Sequence, residues 1–171
     1  MKFNKIIIFL FLISFINIHT VFAQDFKVPK GYSFKTAEDF KKYEPDILKC
    51  IEYMENAPVN DTSNSRKKIN SFLLEWLTDV PYIHITVNSA VMKLTNENAG
   101  FLLIFLGGWA KYSILNPDDK EMVNGYLAGI ESILNSYRNG KGVNEDKAVL
   151  ELIKIQENGK LREWVVQQTK K

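Results

Sequence analysis

The stretch that most limits what this chain can fold into is residues 99–115, AGFLLIFLGGWAKYSIL, which is helix length, apolar on nearly every side and carries Gly107 and Gly108 at its middle. A helix without a polar face has to be covered by its neighbours. Lys111 interrupts the run, and the apolar length falls short of the roughly 18 to 20 residues that a membrane span needs. The segment is therefore expected to be the buried centre of a bundle, with the other helices packed around it.

Upstream, Thr36 followed by Glu38 and Asp39 has the form of a helix start, with a hydroxyl for an orphan amide and acids near the positive end of the dipole. Phe40, Tyr43, Ile47, Cys50, Ile51 and Met54 then recur at steps of three and four, and Pro45 inside that pattern is expected to kink or divide the helix. Residues 56–65, with Pro58 and a run of small polar residues, read as a loop. Ile69, Phe72, Leu73, Trp76, Leu77 and Val80 form the apolar stripe of the next helix, with Arg66, Lys67, Lys68 and Glu75 assigned to its other side. It has to stop before Pro81. Over 82–88 the period changes to two, placing Ile83, Ile85 and Val87 on one face and Tyr82, His84 and Thr86 on the other. This is one extended segment, either lying against helices or presenting an edge for pairing.

Residues 89–94 read as a short helix, and Asn96 or Asn98 as the cap of the central one. Asn116-Pro117-Asp118-Asp119 is expected to end the central helix and start another, with Asn116 as cap and Pro117 at the first helical position. In that next helix Met122, Tyr126, Ile130, Ile133, Leu134 and Tyr137 make a broad apolar face. Beside it runs a ridge of small residues, Gly125, Gly129, Ser132 and Ser136. Small side chains let helix axes approach closely, so Gly125 and Gly129 are expected to meet the central helix where Gly107 and Gly108 thin it. A loop over 138–142, a helix capped near Asp146 and stopped at Asn158-Gly159, and a last helical segment over 161–168 complete the chain. The fold class expected is all-α: a single helical domain over 36–168, of about six or seven helices around a central one at 98–115, with the short extended segment near 82–88 and a loosely held arm at 24–35.

Residues 1–23 have the three parts of a secretory signal: Lys2 and Lys5, an apolar run over 6–18, and Val21-Phe22-Ala23 as a small-residue cleavage site. Removal would leave a mature protein starting at Gln24, exported to the periplasm or the cell exterior and without stable membrane insertion. Lys2 and Lys5 are the only charges lost, so the mature chain balances 20 basic side chains against 20 acidic ones. A surface with no excess charge offers nothing to nucleic acid. Cys50 is the single cysteine, which excludes a disulfide within the chain.

Residues 101–165 resemble a group of uncharacterised secreted bacterial all-helical proteins, through Gly108-Trp109-Ala110-Lys111-Tyr112, Leu127-Ala128-Gly129-Ile130 with Tyr137, Asp146-Lys147, and Gly159-Lys160-Leu161-Arg162-Glu163-Trp164. The resemblance implies export and an all-helical fold, and it carries no activity.

Chemistry is narrowed by elimination. One histidine and one cysteine remain after cleavage, His84 and Cys50, too few for a zinc cluster or a paired-histidine motif. The chain has no nucleophile elbow, no phosphate-cradling glycine loop and no twelve-residue calcium loop, so no cofactor and no metal is expected. Candidate binding residues are Trp109 and Tyr112, one helical turn apart beside the glycine pair, and Tyr82 and His84 on the polar side of the extended segment. Cys50 falls on an apolar stripe and reads as core. The function expected is non-enzymatic binding of a protein partner or a small apolar ligand. The alternative is a hydrolase-type enzyme using scattered carboxylates such as Glu97, Glu131 or Glu151.

Overall fold

Helix α1, Ala37–Asn56, begins where the sequence places a cap: the Thr36 hydroxyl accepts from the Asp39 amide at 3.3 Å, and the Asp39 carboxylate accepts from the Thr36 amide at 3.0 Å. The chain is seen here as a computed structural model that describes residues 26–170, so the signal reading of 1–23 lies outside the described residues. Pro45 does not divide α1, which runs through it as one helix. Pro45 is exposed, and the missing amide costs one backbone bond on the outer side while Ile47, Cys50 and Ile51 stay buried on the inner one.

Six further helices follow: α2 (Asn64–Asp79), α3 (Ser89–Lys93), α4 (Phe101–Leu115), α5 (Met122–Asn139), α6 (Lys147–Glu157) and α7 (Leu161–Thr169). The all-helical class and the central place of α4 are as expected. No strand forms among the described residues, and segment 82–88 lies against the helices. Ile83 is buried there and Ile85 half-buried, but Val87 is 39% exposed, so the apolar face ends before the segment does.

Two clusters of apolar side chains meet at α4. One holds Ile47, Ile51, Met54, Ile69, Phe72, Leu73 and Trp76 from α1 and α2, with Ala110 of α4. The other holds Phe101, Ile104, Phe105 and Trp109 of α4 with Tyr126, Ile130, Ile133, Val149, Leu152 and Val165 from α5, α6 and α7. The arm is not loose over its described part. Phe26 is buried, and Tyr32 stands edge-on to Phe72 with ring centroids 4.9 Å apart, while Phe34 stacks on Phe40 at 5.3 Å. Each ring buries a large apolar area, which holds the arm although it has no helical period.

The small-residue ridge of α5 fits α4 as expected. A Cβ added at Gly129 would lie 2.6 Å from the Phe105 ring and 2.8 Å from the Phe105 carbonyl oxygen, and one at Gly125 would enter the indole of Trp109. Gly108 faces α5 as well, against Ser132 and the Ala128 carbonyl. Gly107 instead faces α1 and α2, with Ile51 and Leu73 as neighbours.

Lys111, the charge within the central helix, is answered by Glu55 of α1: Nζ donates to Oε2 at 3.0 Å, while the Ser132 hydroxyl of α5 donates to Oε1 at 2.7 Å. Donors from beyond α1 also cover its C-terminal carbonyls. Asn139 Nδ2 donates to the Glu55 carbonyl at 3.1 Å and Lys141 Nζ to the Asn56 carbonyl at 3.1 Å, supplying positive charge that the last turn of α1 lacks.

Three expectations are corrected. Asn98 does not cap α4, whose cap Gly100 makes no side-chain bond; Asn98 exchanges two hydrogen bonds with the backbone of Asn144, at 2.7 and 3.1 Å, tying the start of α4 to the start of the α6 segment. Asn116 ends α4 as expected, as its C-cap, but it starts no helix at Pro117: α5 does not begin until Met122. Between them the Asp119 carboxylate gathers the Tyr112 hydroxyl at 2.5 Å, Asn124 Nδ2 at 2.6 Å and the Glu121 amide at 2.8 Å, so it closes the turn rather than opening a helix at Pro117. Arg66, assigned from sequence to the outer side of α2, is 2% exposed. Its Nε donates to Asn70 at 3.0 Å, its guanidinium lies 6.0 Å from the Tyr53 ring centre, and Nη1 has no hydrogen-bond partner among the described residues.

Candidate functional site

The four binding residues read from the sequence are not gathered in one place. Trp109 is buried in the core, set on Gly125 and edge-on to Phe105 and Tyr126, so its groove is filled by packing. Tyr112 turns to Asp119; that hydrogen bond raises the phenol above its ordinary value and, with the Glu121 and Asn124 donors, holds the Asp119 carboxyl below its own. Tyr82 donates to Glu44 Oε1 at 2.9 Å, and burial together with that carboxylate pushes its phenol up. His84 is exposed, with no hydrogen bond or ion pair among the described residues.

The concave surface lies elsewhere, where α3, α6 and α7 converge. A groove of about 440 Å³ opens between them, a size in the range of small-molecule sites. Its floor is apolar: Leu94 and Leu152 are buried, with Ala148, Ile155 and Trp164 half-buried beside them. Helical spacing explains α6, since Ala148, Leu152 and Ile155 fall on one side at steps of four and three. At the rim stand two exposed side chains of opposite charge, Lys93 of α3 and Glu151 of α6, and neither takes part in an ion pair among the described residues.

Asn88 frames the groove. Its Oδ1 accepts from the Ala90 and Val91 amides at 3.0 and 3.2 Å, capping α3, and from the Tyr126 hydroxyl of α5 at 2.8 Å. Its Nδ2 donates to the Gln168 carbonyl of α7 at 3.1 Å. One side chain therefore ties α3 to α5 and to α7, and α3, too short to hold its place by itself, is anchored through its cap. Asn88 carries a sequence signal, an asparagine before Ser89-Ala90, but the alternating pattern of 82–88 drew it into the extended segment. On α6, Asp146 caps with Oδ1 to the Ala148 and Val149 amides, at 2.9 and 3.2 Å.

Of the three carboxylates weighed for an enzyme, only Glu151 lines the groove. Glu131 is half-buried on α5, and burial raises its carboxyl; Glu97 is exposed in the turn before α4. Cys50 touches the Ile69 carbonyl in the core, and burial pushes its thiol up to about 12. Among the described residues no three His, Cys, Asp or Glu side chains converge on a point, and no helix is long and apolar enough to cross a membrane. No protein-family model, curated protein or solved structure matches the chain.

Proposed function

We propose that this protein is exported and acts as a binding protein, receiving a small ligand with an apolar body in the groove between α3, α6 and α7. The observation that carries the reading is the groove itself: about 440 Å³ of space with Leu94, Leu152, Ile155 and Trp164 on its lining, bordered by Asn88, which is hydrogen-bonded through both its amide oxygen and its amide nitrogen. The hydrolytic alternative relies on carboxylates working together, and Glu151 is the single carboxylate on the lining, with Lys93 its other ionisable side chain. That favours binding over hydrolysis. Export rests on the succession of Lys2 and Lys5, the apolar run and Val21-Phe22-Ala23, and intact-mass analysis of the protein from its own source should find Gln24 first.

The groove is tested with anilinonaphthalene sulfonate, which fluoresces on entering apolar sites. Ala148→Trp places an indole in the opening and Ser89→Trp does so from an exposed position on the opposite wall. Either variant should weaken dye binding about tenfold or more while the far-ultraviolet circular dichroism stays unchanged. Dye binding equal to wild type in a folded variant would show that the ligand site is not this groove. Native mass spectrometry of the protein from its own source then reads the occupant, or a bound protein partner, directly.

A further inference from the structure

The groove distributes its chemistry unevenly: the apolar residues lie at the floor and walls, and both charged residues stand at the rim. From this we propose that its ligand is a zwitterion of amino-acid type, a molecule with an ammonium and a carboxylate at one end and a large apolar side chain at the other; the inference rests on the groove being the binding site. Leu94 and Leu152 are already buried, and Ala148, Ile155 and Trp164 beside them are half-buried, so an aliphatic or aromatic side chain laid against these three would remove further apolar surface from water. Trp164 lines the same space.

The two rim charges decide the head group. Lys93 on α3 and Glu151 on α6 stand on different walls, carry opposite signs, and make no ion pair with each other or with any other group among the described residues. Each has its charge available to an incoming molecule. A purely anionic ligand would meet Lys93 favourably and Glu151 unfavourably, and a purely cationic one the reverse. A molecule carrying both charges at one end gains from both and is opposed by neither. Ser89 and Gln168 also line the site and add hydroxyl and amide groups for the remaining polar atoms of such a head.

The test uses four probes with a common ring: L-phenylalanine, phenylpropionate without the amine, phenethylamine without the carboxylate, and ethylbenzene with neither. Isothermal titration calorimetry of the full mature chain should rank phenylalanine tightest. Exposed ion pairs are weak, so each charge removed from the ligand should cost about two- to fivefold in affinity. Lys93→Gln should weaken phenylalanine and phenylpropionate by that factor and leave phenethylamine unchanged or tighter. Glu151→Gln should weaken phenylalanine and phenethylamine and spare phenylpropionate. Both changes lie on exposed positions and leave the core intact. If phenylalanine binds no better than the two singly charged probes, or if the two variants alter all probes alike, the zwitterion assignment falls while the groove stands. If no probe binds and the dye is likewise not bound, the groove reading falls with it.

Discussion

Cys50 shows how the surroundings of one residue settle its chemistry. Its side chain is fully buried against the Ile69 carbonyl, and with the thiol pushed up to about 12 almost none of it is thiolate at neutral pH. Native protein at pH 8 should therefore resist iodoacetamide and react only once unfolded, whereas Cys50→Ala should cost about 1 kcal/mol through lost packing. Rapid alkylation of the folded protein would contradict this. Glu131 gives a second, pH-dependent outcome. Burial raises its carboxyl above the ordinary value, so the folded chain holds this proton more firmly than the unfolded one does. Its contribution to stability is greatest below that value and is lost as pH rises through the folded-state value, which places the penalty at neutral pH. Glu131→Gln should raise the melting temperature at pH 7, and the gain should shrink to nothing as the pH falls towards 4; an unchanged gain across that range would refute the assignment. Residue type and residue spacing gave different answers at Arg66. Steps of three, four and three join it to Ile69, Leu73 and Trp76, which is the buried stripe, but its charge argued for the outer side. Spacing prevailed, because the stem is apolar and the head finds Asn70 and the face of Tyr53.

Helix pairs are where the sequence spoke most clearly, and the clearest statement was the pairing of α4 and α5. Small residues at Gly125, Gly129, Ser132 and Ser136 are spaced along one side of α5, and that periodicity fixes the contact independently of any ligand. The expected ordering of alanine substitutions follows from what each new methyl meets. Gly129→Ala presses on the Phe105 backbone and Gly125→Ala on the packed indole of Trp109, so each should destabilise by roughly 1 to 3 kcal/mol. Gly107→Ala meets side-chain carbons alone, Ile51 at 3.3 and 3.4 Å and Leu73 at 3.7 Å, and its better helix propensity of about 1 kcal/mol should bring it near neutrality. Urea unfolding of the three variants checks the order, and a Gly107 variant as destabilised as Gly129→Ala would show that α4 is gripped equally on both sides. Element boundaries were less legible. Asn116-Pro117-Asp118-Asp119 satisfies the local rules for a helix start, yet Asp119 is engaged by Tyr112, a residue of the preceding helix, and by Asn124 of the following one. A local pattern cannot register a partner that the fold brings back from another element. The same holds for the arm, where rings without period find Phe72 in α2.

At the scale of the whole molecule, the groove had no signature in the sequence because the entire α4–α5 pair separates α3 from α6 and α7, and Asn88 links α3 to α5 and α7 only after folding. What was legible was the central helix, and it governs how the protein should unfold. α4 gives Phe101, Ile104, Phe105 and Trp109 to one apolar cluster and Ala110 to the other, while Gly107 sets it against Ile51 and Leu73 on the α1–α2 side. Neither cluster keeps its cover if α4 leaves. Glu55 adds a polar clamp, joining α1 to Lys111 of α4 and Ser132 of α5. The two clusters should therefore melt as one cooperative unit. Each carries its own reporter: Trp76 is buried in the α1–α2 cluster and Trp109 in the other. Two proteins retaining only one of these tryptophans, with the others changed to phenylalanine, can be unfolded in urea and followed by fluorescence and far-ultraviolet circular dichroism together. Because the substitutions themselves alter stability, the comparison is made between the two signals within each protein. Coincident curves in both proteins, with the same midpoint and slope, are the expected result. If the Trp76 signal in its protein moves well before the helical signal, the α1–α2 side unfolds by itself, and the central helix does not couple the two clusters.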